Sequence, residues 1–178
     1  MSEIIPIVDK EDKIIGYKKR EKVTEQDIYR VSALWLVNLS GQILLAQRSF
    51  KKKHGPGKWG PTVAGTVAKG ENYLQNIIKE TKEEIGIDLR KYNFKKIDKV
   101  FIDKKWKFFC QWYFLQADIS LEKFIFPQDE IERLKWMDKS GFEKDLAKHP
   151  ENYIRTMARH YEVLKKYTTT YGSGMNYQ

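Results

Sequence analysis

Glu80, Glu83 and Glu84 lie within five residues of one another, in a stretch whose apolar side chains recur at helical spacing. At ~100° per residue, Glu83 and Glu84 fall within roughly 60° of Glu80, one on either side. Leu74, Ile77, Ile78, Thr81 and Ile85 form an apolar stripe about a third of a turn away. One edge of such a helix packs, and the neighbouring edge carries three like charges that repel at i,i+3 and i,i+4. A hard divalent cation reverses that sign. Mg2+ takes carboxylate oxygens and keeps places for water and phosphate oxygens, and Mn2+ shares the preference. Such an ion makes a bound water easier to deprotonate and offsets charge on a leaving phosphate. An isolated E-x-x-E-E is more often a solvated face, here with Lys79 paired to Glu83. Gly65 and Gly86 bracket this helix, and Glu71 stands at its start, where a carboxylate suits the amide dipoles; these features favour a site.

The elements that must position this edge follow from the apolar pattern. Residues 4–8 and 14–18 read as two short strands around a polar turn, an N-terminal hairpin, and residues 20–27 as a connection. Residues 31–38 and 42–47 flank Leu39, Ser40 and Gly41 as a second hairpin. Residues 51–60, rich in Lys and Gly with Pro56, form a loop, and 62–67 a short strand. The helix is expected over 71–85, stopped by Gly86. Strands follow over 94–103, 107–117 and 131–137, then helices over 140–147 and 151–167, the last with Tyr153, Ile154, Met157, Tyr161 and Leu164 on one side. Residues 168–178 read as a loose polar tail. Strands and helices mix without strict alternation, which predicts an α/β domain with helices flanking a mixed sheet.

With 178 residues, 41% hydrophobic and 13% aromatic, the chain is sized for one domain over residues 1–167. Its apolar runs are too short to span a bilayer, and no signal peptide is visible. Cys110 is the single cysteine, so an internal disulfide is excluded; a reducing, cytoplasmic setting and a small buried thiol are expected. The net charge of +9 favours anionic partners. Because the basic residues are spread along the chain, a phosphorylated small molecule fits this charge as well as nucleic acid does. Trp35, Trp59, Trp106 and Trp112 could stack on a base; core roles are the commoner use, with Trp59 in the Gly-rich loop as the expected exception.

Residues 65–87, GTVAKGENYLQNIIKETKEEIGI, resemble the Nudix box, G-x5-E-x7-R-E-U-x-E-E-x-G-U, where U is bulky and apolar. Gly65, Glu71, Glu80, Glu83, Glu84, Gly86 and Ile87 match at the required spacings; Lys79 stands in place of Arg and Thr81 in place of an apolar residue. Lys keeps the charge but not the planar fork. The resemblance implies an α/β/α sandwich and metal-dependent hydrolysis of a diphosphate linkage. It assigns Glu80, Glu83 and Glu84 to Mg2+, with Mn2+ as a substitute. Glu80 and Glu83 take the catalytic roles, Glu80 as the residue that orients or deprotonates the attacking water. Gly65, Glu71, Lys79 and Gly86 become structural. An extra acidic ligand from outside the box would be Asp129 or Glu130. Members often pair, and the hairpin at residues 4–18 offers an edge for a homodimer.

Residues 4–136 further resemble the Nudix branch that includes type 1 isopentenyl diphosphate isomerase, through Trp35-Leu-Val-Asn38, Leu44-Leu-Ala-Gln-Arg48 and Gly55-Pro-Gly-Lys-Trp59. In that branch Arg48 and Lys52 correspond to residues that contact the substrate diphosphate, a role their charge suits. The isomerase chemistry is not matched: Ala64 replaces its cysteine, no histidine precedes His54, and Lys107 and Phe109 stand near the expected glutamates. Hydrolysis is the expected activity. The alternatives are an isomerase-like enzyme and a noncatalytic nucleotide- or RNA-binding module.

Overall fold

The computed structural model describes residues 3–168, so the expected tail, apart from Thr168, lies outside the described residues. Elements are numbered in chain order. Strand β3, Ile28–Val37, is the axis of a nine-stranded mixed sheet. Along one edge it runs parallel to β8, Lys107–Gln116, over its whole length, from Ile28 opposite Lys107 to Val37 opposite Gln116. Its other edge is shared by three strands in turn. These are β1 (Ile4–Val8) at Ile28 and Tyr29, β6 (Val63–Thr66) at Val31 to Leu34, and β4 (Ile43–Arg48) at Val37. Outside these lie β2 (Ile14–Lys19) on β1, β7 (Lys95–Asp103) on β8, and β5 (Trp59–Gly60) and β9 (Ile131–Met137) on β4.

A central strand covered on both faces reads as a continuous apolar run, as β3 does. Its side chains alternate between two cores. Ala33, Trp35 and Val37 meet Phe142 and Leu146 of α2 (Lys139–Lys148) and Met157, Tyr161 and Leu164 of α3 (Met157–Leu164). Leu34 and Leu36 meet Ile77 and Ile85 of α1, Tyr73–Ile85. The α/β/α sandwich expected from the motif is the observed arrangement. Cys110 is buried in the first core, and its surroundings push the thiol pKa far up, so it is inert.

The departures from the sequence expectations have local causes. Residues 151–167 do not form one helix: Pro150–Asn152 is a 3-10 turn, Tyr153 bridges to Trp59, and α3 begins only at Met157. Residues 31–47 form a hairpin in name alone, since β3 and β4 pair at Val37 and Ile43 and then diverge, β4 turning to β9. Leu74, placed on the apolar stripe of α1, is exposed.

Candidate active site

Asn72 caps α1: its side chain accepts from the Gln75 N–H at 2.9 Å, and the Gln75 side chain accepts from the Asn72 N–H at 2.9 Å. Glu71 therefore precedes the helix rather than opening it, which corrects the dipole reading. Its carboxylate instead accepts from the Ala68 N–H at 3.2 Å and the Asn76 amide at 3.0 Å, and pairs with Lys79 at 2.8 Å. Burial pushes the Glu71 carboxyl up, but these donors outweigh it and hold its pKa below the ordinary value. Lys79, expected beside Glu83, spans Glu71 and Glu80, the latter at 3.5 Å.

Asn76 is fully buried within this edge. Its amide nitrogen lies 3.0 Å from the Thr66 carbonyl and 3.1 Å from Glu80 Oε1, and its oxygen accepts from the Ser32 hydroxyl of β3. A buried polar group must be satisfied, so this network fixes where Glu80 can sit. Gly65 explains the other constraint on Glu80. A Cβ at Gly65 would meet Glu80 Cγ at 2.2 Å and Cδ at 2.3 Å, so β6 admits the carboxylate only because the side chain is missing. Gly86, with φ at +75°, ends α1 in the left-handed region that favours glycine.

Two of the three box carboxylates are electrostatically out of balance. Burial, then the charge of Glu83, raises the Glu80 pKa above its ordinary value against the pull of Lys79 and Asn76. Glu84 is pushed up to about 8, first by burial and then by Glu80 and Glu130; the Ala64 N–H and the Lys52 ammonium only partly offset this. Carboxylates shifted this way lack positive charge, which a cation would supply. Glu83 is the exposed member of the set.

The facing wall comes from other segments. Arg20, Arg48, Lys52 and Glu130 line the same cleft, of about 280 Å³, as Glu80, Glu83 and Glu84. Arg48, the last residue of β4, donates from Nε to the His54 carbonyl at 3.0 Å, leaving its terminal nitrogens for the cleft. Ser49 ties the loop to the start of β9 through the Glu130 carbonyl at 3.0 Å and the Gln128 carbonyl at 2.8 Å. That tie brings the Lys52 ammonium onto the Glu130 carboxylate. Lys52 thus lines the cleft paired with Glu130. Of the two acidic candidates outside the box, Glu130 lines the cleft and Asp129 does not.

Among the described residues, no three His, Cys, Asp or Glu side chains stand as a ready-made ion cluster. The donor chemistry nevertheless fits a hard divalent ion: every acidic group in the cleft is a carboxylate, and two have their pKa values raised for want of positive charge. Glu80, Glu83 and Glu84 all open on one cleft.

Sequence reasoning missed Arg20 and Asn76. Arg20 gave no signal, lying in a polar connection 45 residues before the motif. Asn76 gave one that went unread: a short amide four residues before Glu80 on the packing side of a helix. Trp59, the expected exposed tryptophan, is 7% exposed and packs under Lys135 at 4.1 Å; Trp106, at 37%, is the exposed one.

Comparison with known proteins agrees with this geometry. The NUDIX domain model matches residues 28–158. A Yersinia pestis protein named an uncharacterised Nudix hydrolase is 28% identical over 137 residues, covering 76% of this chain and 72% of its own. An isopentenyl-diphosphate Delta-isomerase of Serratia proteamaculans is 31% identical over 87 residues, 48% of this chain and 49% of its own. Among solved structures, a Deinococcus radiodurans protein superposes with a TM-score of 0.73 at 22% identity, covering 83% of this chain and 90% of that one. A cleft with the box carboxylates on one side and cations on the other, on this sandwich and within a match spanning most of the sequence, places the chain in the Nudix family, whose hydrolases act on phosphoric anhydride bonds.

Proposed function

We propose that this chain uses water to cleave a diphosphate linkage in a small phosphorylated molecule. The observation that carries the reading is the single cleft in which Glu80, Glu83 and Glu84 face Arg20 and Arg48. The two arginines bind phosphate oxygens with charge-assisted hydrogen bonds and hold the diphosphate across the cleft. Lys52, kept near by Glu130, moderates the negative charge beside Glu84. Glu80, oriented by Asn76 and Gly65, and Glu83 position the attacking water and take its proton; Glu84 completes the ligand set. Mg2+, or Mn2+ in its place, would be held by Glu80, Glu83 and Glu84, and when bound supplies a more acidic water and offsets charge on the leaving phosphate. Glu71 and Lys79 position Glu80 and do not touch substrate.

Relatives named as isomerases raise a second reading, but Ala64 on β6 offers no acid for protonation at carbon. A pure binding module has no need of the three carboxylates that share this cleft. No helix of the described residues is long and apolar enough to cross a membrane. A second copy could pair along β2, where Ile14, Ile15 and Tyr17 are exposed. The test is Mg2+- and Mn2+-dependent phosphate release from a panel of diphosphates, with both products identified. Glu80→Gln should lower turnover by about 10³-fold or more with the far-ultraviolet spectrum unchanged. Undiminished turnover in that variant would sink the reading.

A further inference from the structure

Five of the arginine side chains have a partner. Arg20 pairs with Glu3, Arg30 with Asp12 and Arg90 with Asp88, while Arg48 donates to the His54 carbonyl and Arg133 to the Gln47 side chain. The other two, Arg155 and Arg159, make no hydrogen bond or ion pair among the described residues, and both are exposed. They line one hollow of about 460 Å³, together with Lys104, a third exposed cation with no such partner. That volume lies within the roughly 300–1,000 Å³ of small-molecule sites. The hollow shares no lining residue with the carboxylate cleft.

The fold brings these charges together. β7 ends at Asp103, and Lys104 opens the turn to β8. In the other wall, the Ile154 N–H donates to the Trp59 carbonyl at 2.9 Å, so α3 starts late and Arg155 stands in the turn before it. Arg159 follows in the first turn of α3. Thr156 also lines the hollow and makes no side-chain cap, which leaves the first N–H groups of the helix without a side-chain acceptor.

Charge indicates what the hollow takes. Asp103 is the one acid in its lining, and Lys107 lies 4.0 Å from that carboxylate. Three cations against one acid leave the hollow net positive. The charge of Arg159 is felt by His160, whose pKa falls to about 4, first through burial and then through that guanidinium. His160 is therefore neutral and adds no charge, its Nδ1 accepting from Trp112 at 3.3 Å. Like charges around one concavity repel, and an anion with several acceptor oxygens reverses the sign. A phosphoryl group is such an anion: guanidinium forks meet its oxygens in pairs, and an ammonium meets another. The hollow does not continue into a basic track, since Lys105 pairs with Glu25 at 3.5 Å and Lys107 with Asp103. Nucleic acid needs a stripe of free cations, whereas an isolated concavity suits a small molecule.

We infer that the hollow between the β7–β8 turn and the start of α3 is a second anion-binding site, which takes the phosphoryl group of a small molecule through Arg155, Arg159 and Lys104. The inference stands apart from the diphosphate reading of the cleft and survives its failure.

The experiment titrates inorganic phosphate into the isotope-labelled full chain, without divalent ions and at constant ionic strength, and follows the backbone amides by nuclear magnetic resonance. Amides of residues 103–105 and 155–159 should shift saturably. Arg155→Gln combined with Arg159→Gln should weaken that binding by about tenfold or more, the order of one charge-assisted contact, and leave any shifts at residues 64–66 of the cleft unchanged. Both side chains are exposed, so the melting temperature should not fall. Lys104→Gln, in a surface turn, gives an independent loss in the same direction. Shifts that chloride reproduces, shifts confined to the cleft, or binding that survives the substitutions overturns the site. A short single-stranded oligonucleotide that binds tighter than phosphate and shifts amides well beyond the hollow overturns the small-molecule reading in favour of nucleic acid.

Discussion

The two walls of the cleft are built in opposite ways. The carboxylate wall is one turn and a half of α1, with Glu80, Glu83 and Glu84 fixed relative to each other by helix geometry alone. The cation wall is assembled from Arg20 after β2, Arg48 at the end of β4 and Lys52 in the loop beyond it, residues that meet only because β1, β6 and β4 share one edge of β3. A wall made by local geometry tolerates distant change but not the loss of a neighbour's clearance. A wall made by topology can lose one member and keep the others.

That contrast is tested most severely by Gly65→Ala. The added methyl would overlap Glu80 Cγ at 2.2 Å, and Glu80 cannot retreat without abandoning Asn76. Because misplacement of a reacting group by about 1 Å can cost ~10²-fold, turnover should fall by about that factor. Melting should fall by a few degrees as well, since the overlap crowds a packed edge and loosens the Asn76 contact. Steady-state kinetics alongside thermal unfolding make the check, and wild-type kcat in Gly65→Ala would show that Glu80 is not the constrained member of the set.

Next in size are the arginines. Losing a charge-assisted contact of about 1.5–3 kcal/mol corresponds to roughly ten- to hundredfold, and Arg48→Ala should show it chiefly as raised KM. Arg20→Ala should show the same direction with a smaller factor, because Glu3 already holds its guanidinium at 3.0 Å. Measuring both substitutions together sharpens the comparison. Independent cations give multiplying effects on KM, whereas a wall that acts as a unit gives a double variant little worse than Arg48→Ala.

The same division explains what was legible in the sequence. The sandwich, the end of α1 at Gly86 and the shared edge of its glutamates follow from periodicity and one long motif, all local information. So does the buried role of Thr81, whose hydroxyl folds back to the Ile77 carbonyl at 2.7 Å and leaves its methyl to pack. What was not legible was non-local. Lys52 is held by Glu130 because a loop is tied to β9 across some 80 residues of chain. Tyr153 and Ile154 look helical by spacing but are drawn into extended backbone beside Trp59. That contact buries Trp59 and leaves Trp106, in a turn with no motif around it, as the available indole.

Glu84 offers a smaller but more specific effect. Its pKa is raised from the ordinary 4.5 to about 8, so its contribution to stability is full below about 4.5 and is lost as pH rises through about 8. The melting temperature of metal-free protein should therefore decline across that window by a few degrees, and Glu84→Gln should flatten the decline. Saturating Mg2+ should flatten it too, since an ion that binds the carboxylate favours its ionised form. The same coupling predicts proton release on Mg2+ uptake near pH 7, read by calorimetry in buffers of different ionisation enthalpy. No dependence on buffer would mean that Glu84 is not the ligand that loses a proton.

Lys79→Arg should have the smallest effect. Lys79 holds Glu71 closely at 2.8 Å and Glu80 loosely at 3.5 Å, because one ammonium cannot serve both carboxylates equally. A guanidinium presents parallel donors in a fixed plane and can bridge the two, which would hold Glu80 more firmly against Asn76. The gain is limited, since Lys79 is about one-third exposed and water screens its charge. Turnover should rise by less than about threefold, with metal affinity moving the same way and melting unchanged. A loss of activity instead would show that the carboxylate wall is fitted to an ammonium, so that Asn76 and Gly65 place Glu80 for the looser contact and a tighter one pulls it away from the ion.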